Sequence, residues 1–170
     1  GAVARGQGLQ PGPFTSHTCW EADYSLCSIC HADAAVRRKA LDHLLECVDI
    51  MDATGSRDLK LWFADGTNYP GQDDLRERQD RLAEGLATVY QRLGDSQRML
   101  LEYKLFEPAF YSTDIPDWGT AYAHCLKLGE KDQVVVDRGH HAPGTNFEFI
   151  VATLLRENKL GGFDFNSRFY

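Results

Sequence analysis

Apolar and polar residues along the chain change period repeatedly, between a helical spacing of 3.6 and short runs with a spacing of two. Asp33 reads as the cap of a first helix whose apolar face carries Val36, Ala40, Leu44, Cys47, Val48 and Met51, with Gly55 just past its end. Leu59–Phe63 is a strand, and the turn formers of Ala64–Gly71 follow it as a loop. A second helix starts at Asp73 or Asp74 and turns Leu75, Leu82, Leu86, Val89 and Leu93 inward, with Gly94 at its end. Met99, Leu100 and Leu101 lead a strand into Glu102 and Lys104, and a loop through Pro108 runs on to Pro116. Asp117 caps a third helix, Trp118–Leu128, closed by Gly129. Gln133–Asp137 is the next strand. Thr145 is the expected cap of a fourth helix bearing Phe147, Ile150, Val151 and Leu154, and Gly161–Phe165 is the last strand. Residues 1–32 are broken by Gly6, Gly8, Pro11, Gly12 and Pro13, and read as a short strand near Leu9 followed by a loop.

Strands alternating with helices predict right-handed βαβ units and a parallel sheet. Chemically useful residues collect where the strands end: Trp62 with Asp65, Glu102 with Lys104, Asp137 with His140, and Asp164 with Asn166. Two residues apart on a strand, Glu102 and Lys104 share a face, as do Asp164 and Asn166. In an open doubly wound sheet the site sits at one switch point, and no glycine-rich phosphate loop opens any helix here. Side chains spread over four successive strand ends instead fit a β/α barrel, whose site lies on the loops after the strands. The expected fold is therefore α/β, a partial (β/α)8 TIM barrel with about five of its eight parallel strands.

Composition narrows the partners. The 170 residues fit one domain, and 43% hydrophobic content supplies a core. A net charge of −7 argues against nucleic acid. No apolar run approaches the ~20 residues that span a bilayer, and no export signal is legible, so neither membrane nor export is expected. Five cysteines, an odd count, point to reduced thiols and a cytoplasmic protein. Cys27-Ser-Ile-Cys30-His31 spells the haem c attachment pattern, and His17 and Cys19 would extend it to a zinc site. Haem attachment needs export, and the zinc spacing is irregular, so these thiols read as packing residues in a loop.

Asp137 ends an apolar strand, where an uncompensated carboxylate is costly to bury. A metal ion or Lys104 would compensate it, or it anchors the loop that follows. His140 and His141 are adjacent and diverge, so at most one of them ligates. Carboxylates with at most one imidazole suit Mn²⁺ or Mg²⁺. Trp62, at a strand end, is core or the wall of a sugar pocket.

The segments LWFADGTNYPGQ (61–72), LLEYKLFEPAFYST (100–113), DWGTAYAH (117–124), VVVDRGHHAPGTN (134–146) and LGGFDFN (160–166) resemble the L-rhamnose isomerases, xylose-isomerase-like barrels that interconvert aldoses and ketoses. The resemblance runs from about residue 8 to the end, and the Glu-x-Lys and Asp-x-x-His strand ends carry most of it. It implies two divalent ions holding the oxygens at C1 and C2 of an open-chain sugar, and a homotetramer as the complete enzyme. Glu102 and Asp137 resemble ligands of a first metal, with Glu102 bridging to a second, and His140 resembles a ligand of that second, catalytic metal. Lys104 and His140 resemble substrate-contacting residues, Trp62 the aromatic wall, and Glu102 and Lys104 the residues nearest the chemistry. Asp164 stands where the family pattern has His and would replace it as a ligand of the first metal, which makes that site all oxygen. The resemblance also implies that residues 1–170 are one partial barrel domain lacking its first and last strands, inactive and poorly soluble by itself. Two other functions share some of these features: a metal-dependent phosphoesterase on the same barrel, which would carry more Arg and His, and a haem electron carrier.

Overall fold

The computed structural model describes residues 12–16, 29–63, 66–67, 71–106 and 112–166. Five parallel strands form one sheet in chain order: β1 (Phe14–Ser16), β2 (Asp58–Trp62), β4 (Arg98–Glu102), β6 (Asp132–Asp137) and β7 (Leu160–Asp164). Helices α1 (Ala34–Thr54), α2 (Leu75–Arg92), α3 (Trp118–Leu128) and α4 (Phe147–Arg156) link successive strands of that sheet. A small antiparallel pair, β3 (Gly66–Thr67) with β5 (Ser112–Thr113), joins two of the loops beyond the strands. This is the expected parallel β/α arrangement. The strand read near Leu9 lies outside the described residues, and the first described strand is β1, directly after Pro13.

Local chemistry explains the helix limits. Asp33, Asp74 and Asp117 each accept a hydrogen bond from a backbone N–H of the first turn, and Gly55 closes α1 with a left-handed backbone at φ 75°. At α4 the cap is Asn146, not Thr145: the Asn146 carboxamide oxygen accepts from the Phe149 N–H at 2.9 Å. Leu75 is exposed because, as the first residue of α2, it lies outside the buried turn. Its place on the inner face is taken by Arg78, which is 2% exposed and binds both oxygens of Asp114 at 2.8 and 2.6 Å. That buried fork fixes the stretch after β5 onto α2.

Alternation along each strand separates two faces. Leu59, Leu61, Met99, Leu101, Val134 and Val136 face the helices and pack with Leu44, Met51, Leu86 and Leu154 in the core. The opposite face is layered. At its N-terminal edge Arg98 bridges Asp58 (2.8 and 2.9 Å) and Gln133 (2.7 Å). Leu100 and Val135 fill the middle, and Gly161 admits Leu100 there, since a Cβ on it would stand 2.6 Å from Leu100 Cδ2. At the C-terminal edge the residues are charged. No helix among the described residues is long and apolar enough to cross a membrane.

One buried carboxyl lies far from that edge. Asp132, at the start of β6, is 0% exposed, and neither of its oxygens makes an ordinary hydrogen bond. Its neighbour is the Cys125 thiol, a weak donor, while Lys159 spends its ammonium on the backbone carbonyls of Cys125, Gly129 and Asp132. Burial therefore pushes the Asp132 carboxyl up to about 7. A folded-state value above the unfolded one means that stability is fully present below about pH 4 and is lost as pH rises towards 7, by roughly 1.4 kcal/mol per unit. Asp132→Asn in the full-length protein should thus gain on the parent between pH 4 and 7. Denaturant midpoints measured across that range test it, and a constant difference would show that Asp132 ionises freely.

Candidate metal and sugar site

Glu102 and Asp137 end adjacent strands, and the loop after β6 returns His140 between them. Glu102 and His140 are both buried, as is Asp137, and the three offer ligand atoms all within 4.8 Å of one another. His140 Nδ1 lies 3.1 Å from Glu102 Oε1 and 2.9 Å from the Tyr103 carbonyl oxygen, while its Nε2 lies 3.2 Å from Asp137 Oδ2. A carbonyl accepts only, so Nδ1 carries the hydrogen, which it shares between the Tyr103 carbonyl and Glu102 Oε1. The Nε2 lone pair then faces a carboxylate oxygen, a contact that only a proton or a metal cation makes favourable. A ligating histidine commonly has its other nitrogen fixed in this way by a backbone carbonyl. Two carboxylates and one oriented imidazole fit a divalent ion.

The Asp137 carboxyl also does what a loop anchor does: its Oδ1 accepts the Gly139 N–H at 2.6 Å, which sets the turn that delivers His140. Both readings of this residue from sequence therefore coexist. Burial and the nearby charges of Glu102 and Asp164 push its carboxyl up, against the Gly139 N–H and His140. Glu102 goes the other way. Burial opposes its charge, but hydrogen bonds from His140 and Lys60 outweigh burial and hold its carboxyl below the usual value.

Lys60 is the residue that reading the sequence missed. It pairs with Glu102 Oε2 at 2.8 Å and also binds Asp164. Burial lowers the Lys60 ammonium's hold on its proton, and the bonds to Asp164 and Glu102 more than restore it. The signal was present: Lys60 and Trp62 are two apart on β2, hence on one face, and Trp62 registers with Glu102. Tyr103 was also missed, because it acts through its backbone carbonyl.

Of the other expected residues, Asp164 registers with Asp137 and sits beside the triad, bound to Lys60. Lys104 holds its ammonium 5.5 Å from the centroid of the Trp62 ring, a cation–π contact. Its backbone is fixed by Thr113 of β5 and by Ile115 just after it. His141 diverges from His140 as expected and packs edge-on against Tyr103 and Phe147. Cys30 is fully buried in the core; His17, Cys19, Cys27 and Asp65 lie outside the described residues.

No protein-family model matches the chain. It is 48% identical over 147 residues to a probable sugar isomerase of Rhizobium meliloti, covering 86% of this chain and 34% of that protein. It is 44% identical over 162 residues to a probable sugar isomerase of Mesorhizobium japonicum, covering 95% of this chain and 38% of that one. The chain thus spans about a third of the length of the curated relatives it matches. Among solved structures, D-allulose 3-epimerase from Methylomonas superposes with a TM-score of 0.73 at 16% identity, over 95% of this chain and 54% of that one. The IolI protein with a bound zinc atom gives 0.70 at 13%, over 99% and 59%. The five parallel strands are part of a (β/α)8 barrel. The fold is shared with sugar epimerases, and the sequence is similar to probable sugar isomerases.

Asp137→Asn in the full-length protein removes one anion but keeps an oxygen for the Gly139 N–H. We expect Mn²⁺ affinity to fall by at least about tenfold, the scale on which even groups that only orient a ligand act, while the metal-free protein keeps its stability, because the amide oxygen still accepts from the Gly139 N–H. Titration calorimetry and metal-free thermal melts read the two effects. Unchanged affinity would remove Asp137 from the ligand set.

Proposed function

We propose that this chain carries part of the active site of a metal-dependent aldose–ketose isomerase that converts L-rhamnose to L-rhamnulose. The observation that carries the proposal is the meeting of Glu102, Asp137 and His140 at the ends of barrel strands, with Lys104 over Trp62 on the neighbouring strand. Glu102, Asp137 and His140 would hold a divalent ion, and carboxylate-rich ligation suits Mn²⁺ or Mg²⁺. Bound there, the ion supplies Lewis-acid polarisation of the sugar's carbonyl and hydroxyl oxygens.

The chain's own residues supply the rest. Trp62 offers an aromatic face to the C–H surface of the sugar. Lys104 donates hydrogen bonds to a sugar oxygen, where negative charge grows as hydrogen moves between C1 and C2. Tyr103 holds the His140 tautomer, and Lys60 keeps Glu102 ionised. The homotetramer expected of the complete enzyme rests on the resemblance to L-rhamnose isomerases, and the cytoplasmic location on the odd count of cysteines.

The structural neighbours named as 3-epimerases raise a second reading, inversion at C3 of a ketose on the same barrel. The relatives at 44–48% identity are both named isomerases, and this favours transfer between C1 and C2. Full-length protein, stripped of metal and reloaded with Mn²⁺, should convert L-rhamnose to its ketose, followed by NMR. Glu102→Gln should lower kcat/KM by more than about a hundredfold, the loss typical of removing one charge-stabilising group. Interconversion of D-fructose and D-allulose with no change in L-rhamnose would establish the epimerase reading instead.

A further inference from the structure

We infer that Lys60 is a built-in cation that occupies the second charge-compensating position of this site, so that the site takes one divalent ion rather than two. The inference rests on the metal-binding reading of Glu102, Asp137 and His140 and goes beyond it. A carboxylate bridging two metal ions needs an oxygen for each. Here Glu102 divides its oxygens: Oε1 turns to His140 at 3.1 Å, and Oε2 is taken by the Lys60 ammonium at 2.8 Å. The same ammonium binds Asp164, the third strand-end carboxylate among the described residues. Asp164 accordingly stays out of the group of residues whose ligand atoms lie within reach of one ion.

Charge and position agree. Glu102, Asp137 and Asp164 stand on three neighbouring strands, and Lys60 reaches across from β2 to two of them. Among the described residues, the three strand-end carboxylates and Lys60 leave two negative charges, which one divalent cation neutralises. Lys60 is mostly buried, with its side chain 15% exposed, and the β2–β4 register holds its backbone opposite Leu100. It is a positioning residue: it fixes which Glu102 oxygen is offered to the ion, and it acts on the sugar only through that ion.

The test is a metal count on the full-length protein, with Mn²⁺ as the probe. Mn²⁺ per chain is measured after equilibrium dialysis, and electron paramagnetic resonance separates an isolated ion from a coupled pair. The parent should hold one Mn²⁺ with an uncoupled spectrum. Lys60→Met, of similar length but neutral, frees Glu102 Oε2 and Asp164 and should raise the count to two, with spin coupling. Lys60→Arg keeps the charge, should stay at one, and controls for folding should Lys60→Met lose structure. A coupled pair in the parent, or a Lys60→Met protein that is folded and still at one, would overturn the inference and leave the isomerase proposal standing. A parent that binds no Mn²⁺ would overturn both.

Discussion

Three carboxylates brought to neighbouring strand ends are the constraint on which the rest of the structure depends. Glu102, Asp137 and Asp164 terminate β4, β6 and β7, which are adjacent in the sheet. Burial, and beside it the charges of Glu102 and Asp164, raises the proton affinity of the Asp137 carboxyl. Two groups from elsewhere offset them. Lys60 reaches across from β2, and His140 returns on the loop that Asp137 itself anchors. Glu102, Asp137 and His140, held within reach of one another in this way, could hold a divalent cation.

The apolar side of the sheet carries the energetic cost. Leu59, Leu61, Met99, Leu101, Val134 and Val136 are each fully buried against the helices. Each contributes about 1.5–3 kcal/mol by leaving water. Together they exceed the few kcal/mol at which a poorly paired buried carboxyl opposes folding. One face of each strand therefore secures register, and the other is free to concentrate charge. The Arg78–Asp114 fork extends this support to the stretch that fixes Lys104 against Trp62.

Much of this arrangement was legible from periodicity and capping residues. Asp33 and Gly55 bracket α1, Asp117 and Gly129 bracket α3, and the Glu102 and Asp137 strand ends were visible because charge follows an apolar run. The misses have physical causes. Thr145 and Asn146 are both good capping residues, and only the backbone path selects Asn146. Arg78 in the core could not be inferred while its partner, Asp114, lay 36 residues away across the fold. Lys60 was overlooked although strand alternation put it on the face of Trp62, since its partners come from β4 and β7. The Tyr103 carbonyl that orients His140 leaves no trace in residue identity.

In the proposed site, these strand ends bind a divalent cation through His140 Nε2. The most direct measurement is electron spin echo modulation of Mn²⁺ bound to the full-length protein, comparing the parent with His140→Ala. Modulation from one directly bound imidazole nitrogen in the parent, lost in His140→Ala, is the predicted result. A Mn²⁺ spectrum without nitrogen modulation, or one unchanged by the substitution, would contradict it.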